Sequence, residues 1–288
     1  MGITLAVMSS LCFGIGLVTA RVGLRTLDAR SGAAISIPVA AALFTLAAPF
    51  TLDPSGFSVR AALVFAAIGV FFPALVTLLT FRSNEELGPT VTGAVSGTAP
   101  LFALLGAALL LDEKIPAEAA IAAVGVGIGV ALLSWSPGGV RRGFAGWALL
   151  WPFSGAMIRG LAQVGAKAGL LLWPNPFAAG LIAYSVSSVT VVGVDRLGRA
   201  QRQRVTLRSL WWFGVTGVLN GGAVLLMYTA LTMAPVSTVA PVVATYPLVT
   251  ALVGAAGLHD EPLTVRVIAG AALTVAAVAY LVASRTVA

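Results

Sequence analysis

Charge is what this chain of 288 residues has least of: 9% of its residues are Asp, Glu, Lys or Arg, where a soluble domain carries about a quarter. It has one cysteine, Cys12, and one histidine, His259. A single thiol excludes an intramolecular disulfide and a cysteine metal cluster, and a single imidazole argues against the usual zinc sites. No G-x-x-x-x-G-K-[ST] loop occurs, so uphill work by this chain would have to draw on an ion gradient. No cofactor or metal is implied. An intramembrane enzyme would need an Asp pair or a Ser/His constellation, and no convincing one is present, so the chain is not read as an enzyme.

Apolar sequence is present in abundance. Hydrophobic residues make up 59% of the chain and mean hydropathy is +1.00, with apolar runs long enough for the roughly 20 residues that cross a hydrocarbon core. Ten spans are expected: residues 3–20, 31–50, 61–80, 89–111, 115–135, 143–166, 176–194, 209–230, 235–258 and 264–283. Backbone groups in lipid must bond internally, so these read as helices, and runs this long are poor barrel strands. The first span is not read as a signal peptide, because only Met1 and Gly2 precede it and neither is basic. The longest polar connection, 195–208, is too short for a domain, which leaves one membrane domain over 1–288.

The chain is written twice. Arg21-Val-Gly-Leu24 recurs as Lys167-Ala-Gly-Leu170, and Phe81 through Pro89 overlays Met227 through Pro235, both at an offset of 146 residues. Pro89, Pro100, Glu113 and Gly129-Val130 fall in the same order as Pro235, Pro247, Glu261 and Ala277-Val278, with 16 residues from the Glu to the small-Val pair each time. Repeat one covers 1–142 and repeat two 147–288. An odd number of spans per copy makes the copies face opposite ways. The expected fold is an all-α integral membrane protein of ten transmembrane helices in two inverted five-helix repeats, with a site between them near the midplane.

The formal charge of +7 follows the connections. Odd-numbered connections hold Arg21, Arg25, Arg30, Arg82, Arg141, Arg142, Arg196, Arg199, Arg202, Arg204, Arg208 and Arg266, and the even ones and termini only Arg60, Lys114, Lys167 and Arg285. The positive-inside tendency then puts the odd connections in the cytoplasm and both termini outside. All carboxylates, from Asp28 to Glu261, fall at or near connections. Glu113 and Glu261 sit where they can serve the starts of the helices that follow them.

Span six carries the chemistry. Trp151, Gly155, Arg159, Gln163 and Lys167 recur every four residues and form one helical stripe. A mid-span guanidinium costs at least about 2.5–3.5 kcal/mol on insertion scales, so Arg159 should face a wet cavity or a partner. Its fork suits a substrate carboxylate; the alternative is that it snorkels or bonds carbonyls. Ser96 in span four, Asn220 and Tyr228 in span eight, and Thr245 and Tyr246 in span nine are the other candidate substrate-binding residues. Pro100, Pro241 and Pro247 are candidate hinges. Gly125, Gly127, Gly129 and the stretch around Gly270 read as close-packing or dimer surfaces, and Trp135, Trp173, Trp211 and Trp212 as interfacial anchors.

Tyr228-Thr-Ala-Leu-Thr-Met-Ala-Pro235, the Thr98-Ala-Pro100 and Thr245-Tyr-Pro247 turns, and the acidic connections Leu111-Asp-Glu113 and Asp260-Glu261-Pro262 together resemble the EamA-type, ten-helix branch of the drug/metabolite transporter superfamily. The resemblance implies a carrier that exports amino acids, related metabolites or drugs across a bacterial inner membrane. The sequence departs from it at Asn84-Glu85-Glu86 and at Ser36-Ile-Pro38, and in its charge-derived orientation. With no clear mid-membrane acid to hold a lipophilic cation, an amino acid or related small metabolite is the expected substrate. A proton-driven multidrug exporter and a non-transport scaffold are the alternatives. Expected partners are the small-molecule substrate and the lipid bilayer, with protons a candidate coupling ion, no nucleic acid, and a monomer or homodimer as the working unit.

Overall fold

A computed structural model describes residues 1–87, 92, 95–133, 146–197, 205–257 and 265–287. Helices α1 (Gly2–Leu24), α2 (Ala29–Thr51) and α3 (Val59–Gly69) come first. A wide turn, Val70–Leu75, leads into α4 (Val76–Leu87). Then follow α5 (Ala99–Leu110), α6 (Ala117–Leu133), α7 (Leu150–Leu172), α8 (Pro176–Leu197), α9 (Leu207–Met233), α10 (Val236–Val243), α11 (Tyr246–Gly257) and α12 (Val265–Val287). No strand occurs among the described residues.

Among these residues, seven helical segments are long and apolar enough to cross a membrane: Gly2–Leu24, Ala29–Thr51, Val59–Thr80, Pro176–Arg196, Leu207–Met233, Val236–Gly254 and Val265–Ser284. The apolar helices Ala99–Leu110 and Ala117–Leu133 are shorter. Helix α7 has the length, 23 residues, but the polar stripe of Arg159, Gln163 and Lys167 keeps its hydropathy low. The protein is thus a multi-pass membrane protein whose described elements are all helical.

Several elements begin or end for a local reason. Asp28 caps α2 by accepting from the backbone N–H groups of Arg30 and Ser31, both at 3.0 Å. Partial burial pushes the Asp28 carboxyl up, but the hydrogen bonds from Ser31 and Arg30 outweigh it and hold the group below the usual carboxylate range. Thr206 and Ser209 form a reciprocal capping box at the start of α9. Phe72 leaves the helical region (φ −132°, ψ 128°) because Pro73 follows it, and Trp173 (φ −145°, ψ 98°) does so before Pro174.

The breaks expected at the Thr-Ala-Pro and Thr-Tyr-Pro turns are twins. Thr98 donates its hydroxyl to Val95 O at 2.7 Å, and Leu101 N–H bonds Thr98 O at 2.9 Å. Thr245 donates to Val242 O at 2.8 Å, and Leu248 N–H bonds Thr245 O at 2.9 Å. Pro100 and Pro247 therefore stand in the first turns of new helices, α5 and α11, where a missing N–H leaves nothing unpaired. Pro241 instead lies inside α10.

Small residues set the helix spacing. Helix α6 packs on α12, where a Cβ on Gly129 would lie 2.9 Å from Gly270 O, and one on Gly270 2.7 Å from Gly129 O. These glycines thus serve an intramolecular contact. A side chain at either position forces the helices apart. Gly129→Val should cost about 1–3 kcal/mol, read as a lower melting temperature of the purified protein than Gly127→Ala produces.

Candidate functional site

Helices α1, α2, α4, α5, α7, α9 and α11 contribute to the wall of a cavity of about 420 Å³. It runs from mid-bundle, where Arg159 and Asn220 line it, to the end of the bundle where α1 stops and α2 begins, at Leu24 and Ala29. Much of its wall is apolar, with Phe13, Leu17, Phe72, Phe213 and Met227 contributing. The size is that of small-molecule sites.

Arg159 is the centre of its polar part. One terminal nitrogen donates to the Tyr246 hydroxyl at 2.7 Å, and the guanidinium carbon sits 5.8 Å from the centroid of the same ring. Phe13 also packs on Tyr246, with ring centroids 6.1 Å apart. Tyr246 stands just after the break at Ala244 and Thr245, as the first residue of α11. No Asp or Glu is among the described residues lining the cavity. The guanidinium is therefore held by a neutral phenol, and its remaining donors are left for another acceptor.

One turn along α7, Gln163 is 6% exposed and its Oε1 has no hydrogen-bond partner among the described residues. The same holds for Oδ1 of Asn220 on α9. A Cβ at Gly16 would lie 2.5 Å from that oxygen, so the bare backbone of α1 is what admits the Asn220 amide. Below it, Thr216 and Thr19 share a hydrogen bond of 2.9 Å. Unpaired buried acceptors are costly unless water or a ligand reaches them.

Of the residues expected from sequence, Arg159, Gln163, Asn220, Tyr246, Ser96, Pro100 and Pro247 line this one cavity. Four stand outside it. Tyr228 is 1% exposed within the core. Trp151 donates its indole N–H to Glu86 at 3.1 Å, beside the Arg82–Glu86 ion pair of 2.7 Å. Thr245 bonds Ser10 at 2.8 Å, and Pro241 is buried in α10.

Arg21, expected at a connection, lies inside α1 and lines the cavity; its correspondence to Lys167 in the duplication is the sequence signal for that placement. Lys167 also lies within its helix, a turn and more before α7 ends, and its ammonium donates to Leu231 O at 2.6 Å and Ala234 O at 3.2 Å. Glu113 serves a different helix start from the neighbouring one: it accepts from the N–H groups of Val236 and Ser237, at 3.0 and 2.9 Å, and from the Ser237 hydroxyl, all at the start of α10. The backbone of Asp112, at φ 51°, turns the chain so that Glu113 reaches across to the other half. Trp135, His259, Asp260, Glu261 and most of the arginines of loop 195–208 lie outside the described residues.

A helical multi-pass protein with a deep, cationic, largely apolar cavity has the form of a carrier for small molecules. Residues 1–135 and 146–283 each match the model of the EamA-like transporter family, and the chain belongs to that family. A solved crystal structure, at 17% sequence identity, superposes with a TM-score of 0.79 over 99% of this chain and 98% of that one; at that identity the likeness is one of fold. No curated protein sequence matches this one.

In a Cys12→Ser background, Asn220→Cys should react with a water-soluble maleimide more than about tenfold faster than Tyr228→Cys, because reaction at a fully buried thiol waits for local opening. Equal rates would mean that the cavity is dry.

Proposed function

We propose that this chain is a secondary transporter built as ten helices in two inverted five-helix repeats over 1–288, exporting amino acids or related small metabolites across the inner membrane by alternating access. One observation carries the substrate reading: Arg159, deep in the cavity, has a neutral tyrosine as its partner and no carboxylate among the described lining residues. Its fork is suited to a substrate carboxylate. The unpaired oxygens of Gln163 and Asn220 suit the donors of a substrate ammonium group, and the apolar wall suits a side chain.

Helix pairing supports the inverted repeat. Helix α2 packs on α8, and α6 on α12, each joining a segment to its counterpart 146 residues or so further on. The contact of α1 with α10 and α11 is matched by that of α7 with α5. Pairings of this kind are what a two-fold relation between halves produces. By the positive-inside tendency, the cavity end near Arg25 and Arg30 faces the cytoplasm, the side from which an exporter loads.

The test is efflux of labelled amino acids from liposomes holding the purified protein, with and without a pH gradient. Wild type should show protein-dependent efflux, and a response to the gradient assigns proton coupling. Arg159→Ala should fall to the background of empty liposomes, and Arg159→Lys should retain a small part of the rate, because an ammonium keeps the charge but loses the fork. Wild-type efflux by Arg159→Ala overturns the assignment of the carboxylate. Amine-free analogues, the corresponding 2-oxo acids, should compete at least about tenfold more weakly than the amino acids, since Gln163 and Asn220 would stay unpaired.

A further inference from the structure

The turn between α9 and α10, Ala234 and Pro235, has an opposite charge placed at each of its two helix ends. Helix α9 ends there with unpaired carbonyls, and α10 begins there with unpaired N–H groups. Lys167 of α7 donates to the first set, at Leu231 O and Ala234 O. Glu113, from the connection between α5 and α6, accepts from the second, at Val236 and Ser237. Each charge also has the sign that its helix dipole favours.

This turn lies at the end of the bundle opposite the cavity's mouth. None of Glu113, Lys167, Ala234 or Pro235 lines the central cavity. At this end the start of α1 also closes on the turn, with a Cβ at Gly2 placed 3.0 Å from that of Ala234. At the mouth the corresponding cation of the first copy, Arg21, lines the cavity instead. The two copies of one sequence element are therefore in different situations at the two ends.

We infer that Lys167 and Glu113 form a latch that holds this end of the carrier shut, and that the latch must part for the cavity to open there. The inference rests on the alternating-access reading above. A latch shifts an equilibrium only by stabilising one state more than the other. Here the closed state gives two α9 carbonyls and two α10 N–H groups charged partners drawn from the neighbouring helices. Moving α9 and α10 away from α7 and the α5–α6 connection breaks all of these bonds together.

Thr238 reports on this end. It is 4% exposed, and its hydroxyl has no hydrogen-bond partner among the described residues. Thr80, in the first half of α4 and lining the cavity, reports on the other. Each is replaced singly by cysteine in the Cys12→Ser protein, and maleimide reaction rates are measured on purified, monodisperse samples. With Lys167→Met, Thr238→Cys should react about tenfold or more faster and Thr80→Cys more slowly, because closing one end accompanies opening the other. Lys167→Arg should stay near the parent rates. If Lys167→Met does not yield folded protein, Glu113→Gln, which keeps the shape and an acceptor, is expected to shift both rates in the same directions.

Unchanged rates at both reporters overturn the latch. A rise at Thr238→Cys with no change at Thr80→Cys also overturns it, leaving Lys167 and Glu113 as braces of two helix ends. The rates are read without substrate, so a wrong substrate assignment would leave them as predicted, and a failed latch would leave the efflux results standing.

Discussion

A peptide group that loses its helical partner inside hydrocarbon has to find another one, and the breaks in this bundle show how that demand is met. At Val95–Thr98 and Val242–Thr245 a threonine hydroxyl takes up a carbonyl and the backbone closes a tight turn, after which a new helix starts. At the α9–α10 turn the freed groups are too many for a local side chain. Glu113 and Lys167 supply them from elsewhere in the fold.

The cavity lies where those breaks fall, since Ser96, Gly97, Ala244 and Tyr246 line it. Tyr246 begins a helix that points its ring at α7, and Arg159 gains a neutral partner that leaves its charge uncompensated. A guanidinium in that position is tolerated because it stands in a space that reaches the bundle's end, and Gln163 and Asn220 share the same space. A carboxylate beside Arg159 would have closed the charge internally and left little for a ligand to do. Two acids elsewhere in the bundle have other partners: Glu86 is engaged by Arg82 and Trp151, and Glu113 by the start of α10.

Close packing is achieved by leaving side chains out. Gly129 and Gly270 let α6 and α12 meet backbone to backbone, and Gly16 gives its space to the Asn220 amide. In lipid there is little hydrophobic gain from bringing apolar helices together, so van der Waals contact between small residues has to supply association. The same device thus serves both the scaffold and the cavity wall.

The sequence alone determined the membrane character, the duplication and the expected breaks at Thr98-Ala-Pro100 and Thr245-Tyr-Pro247, because length, hydropathy and proline act locally. It also marked Arg159, Gln163, Asn220, Ser96 and Tyr246, since a polar group in an apolar span stands out without knowledge of its neighbours. What it could not rank was which polar groups share a space. Tyr228 looked equivalent to Tyr246 and is enclosed in the core, and Trp151 lies on the Arg159 stripe yet answers to Glu86. Arg21 and Lys167 match in sequence, but one lines the cavity and the other caps α9. Those outcomes depend on how α7, α9 and α11 cross, and crossing is decided by contacts between residues far apart in the chain.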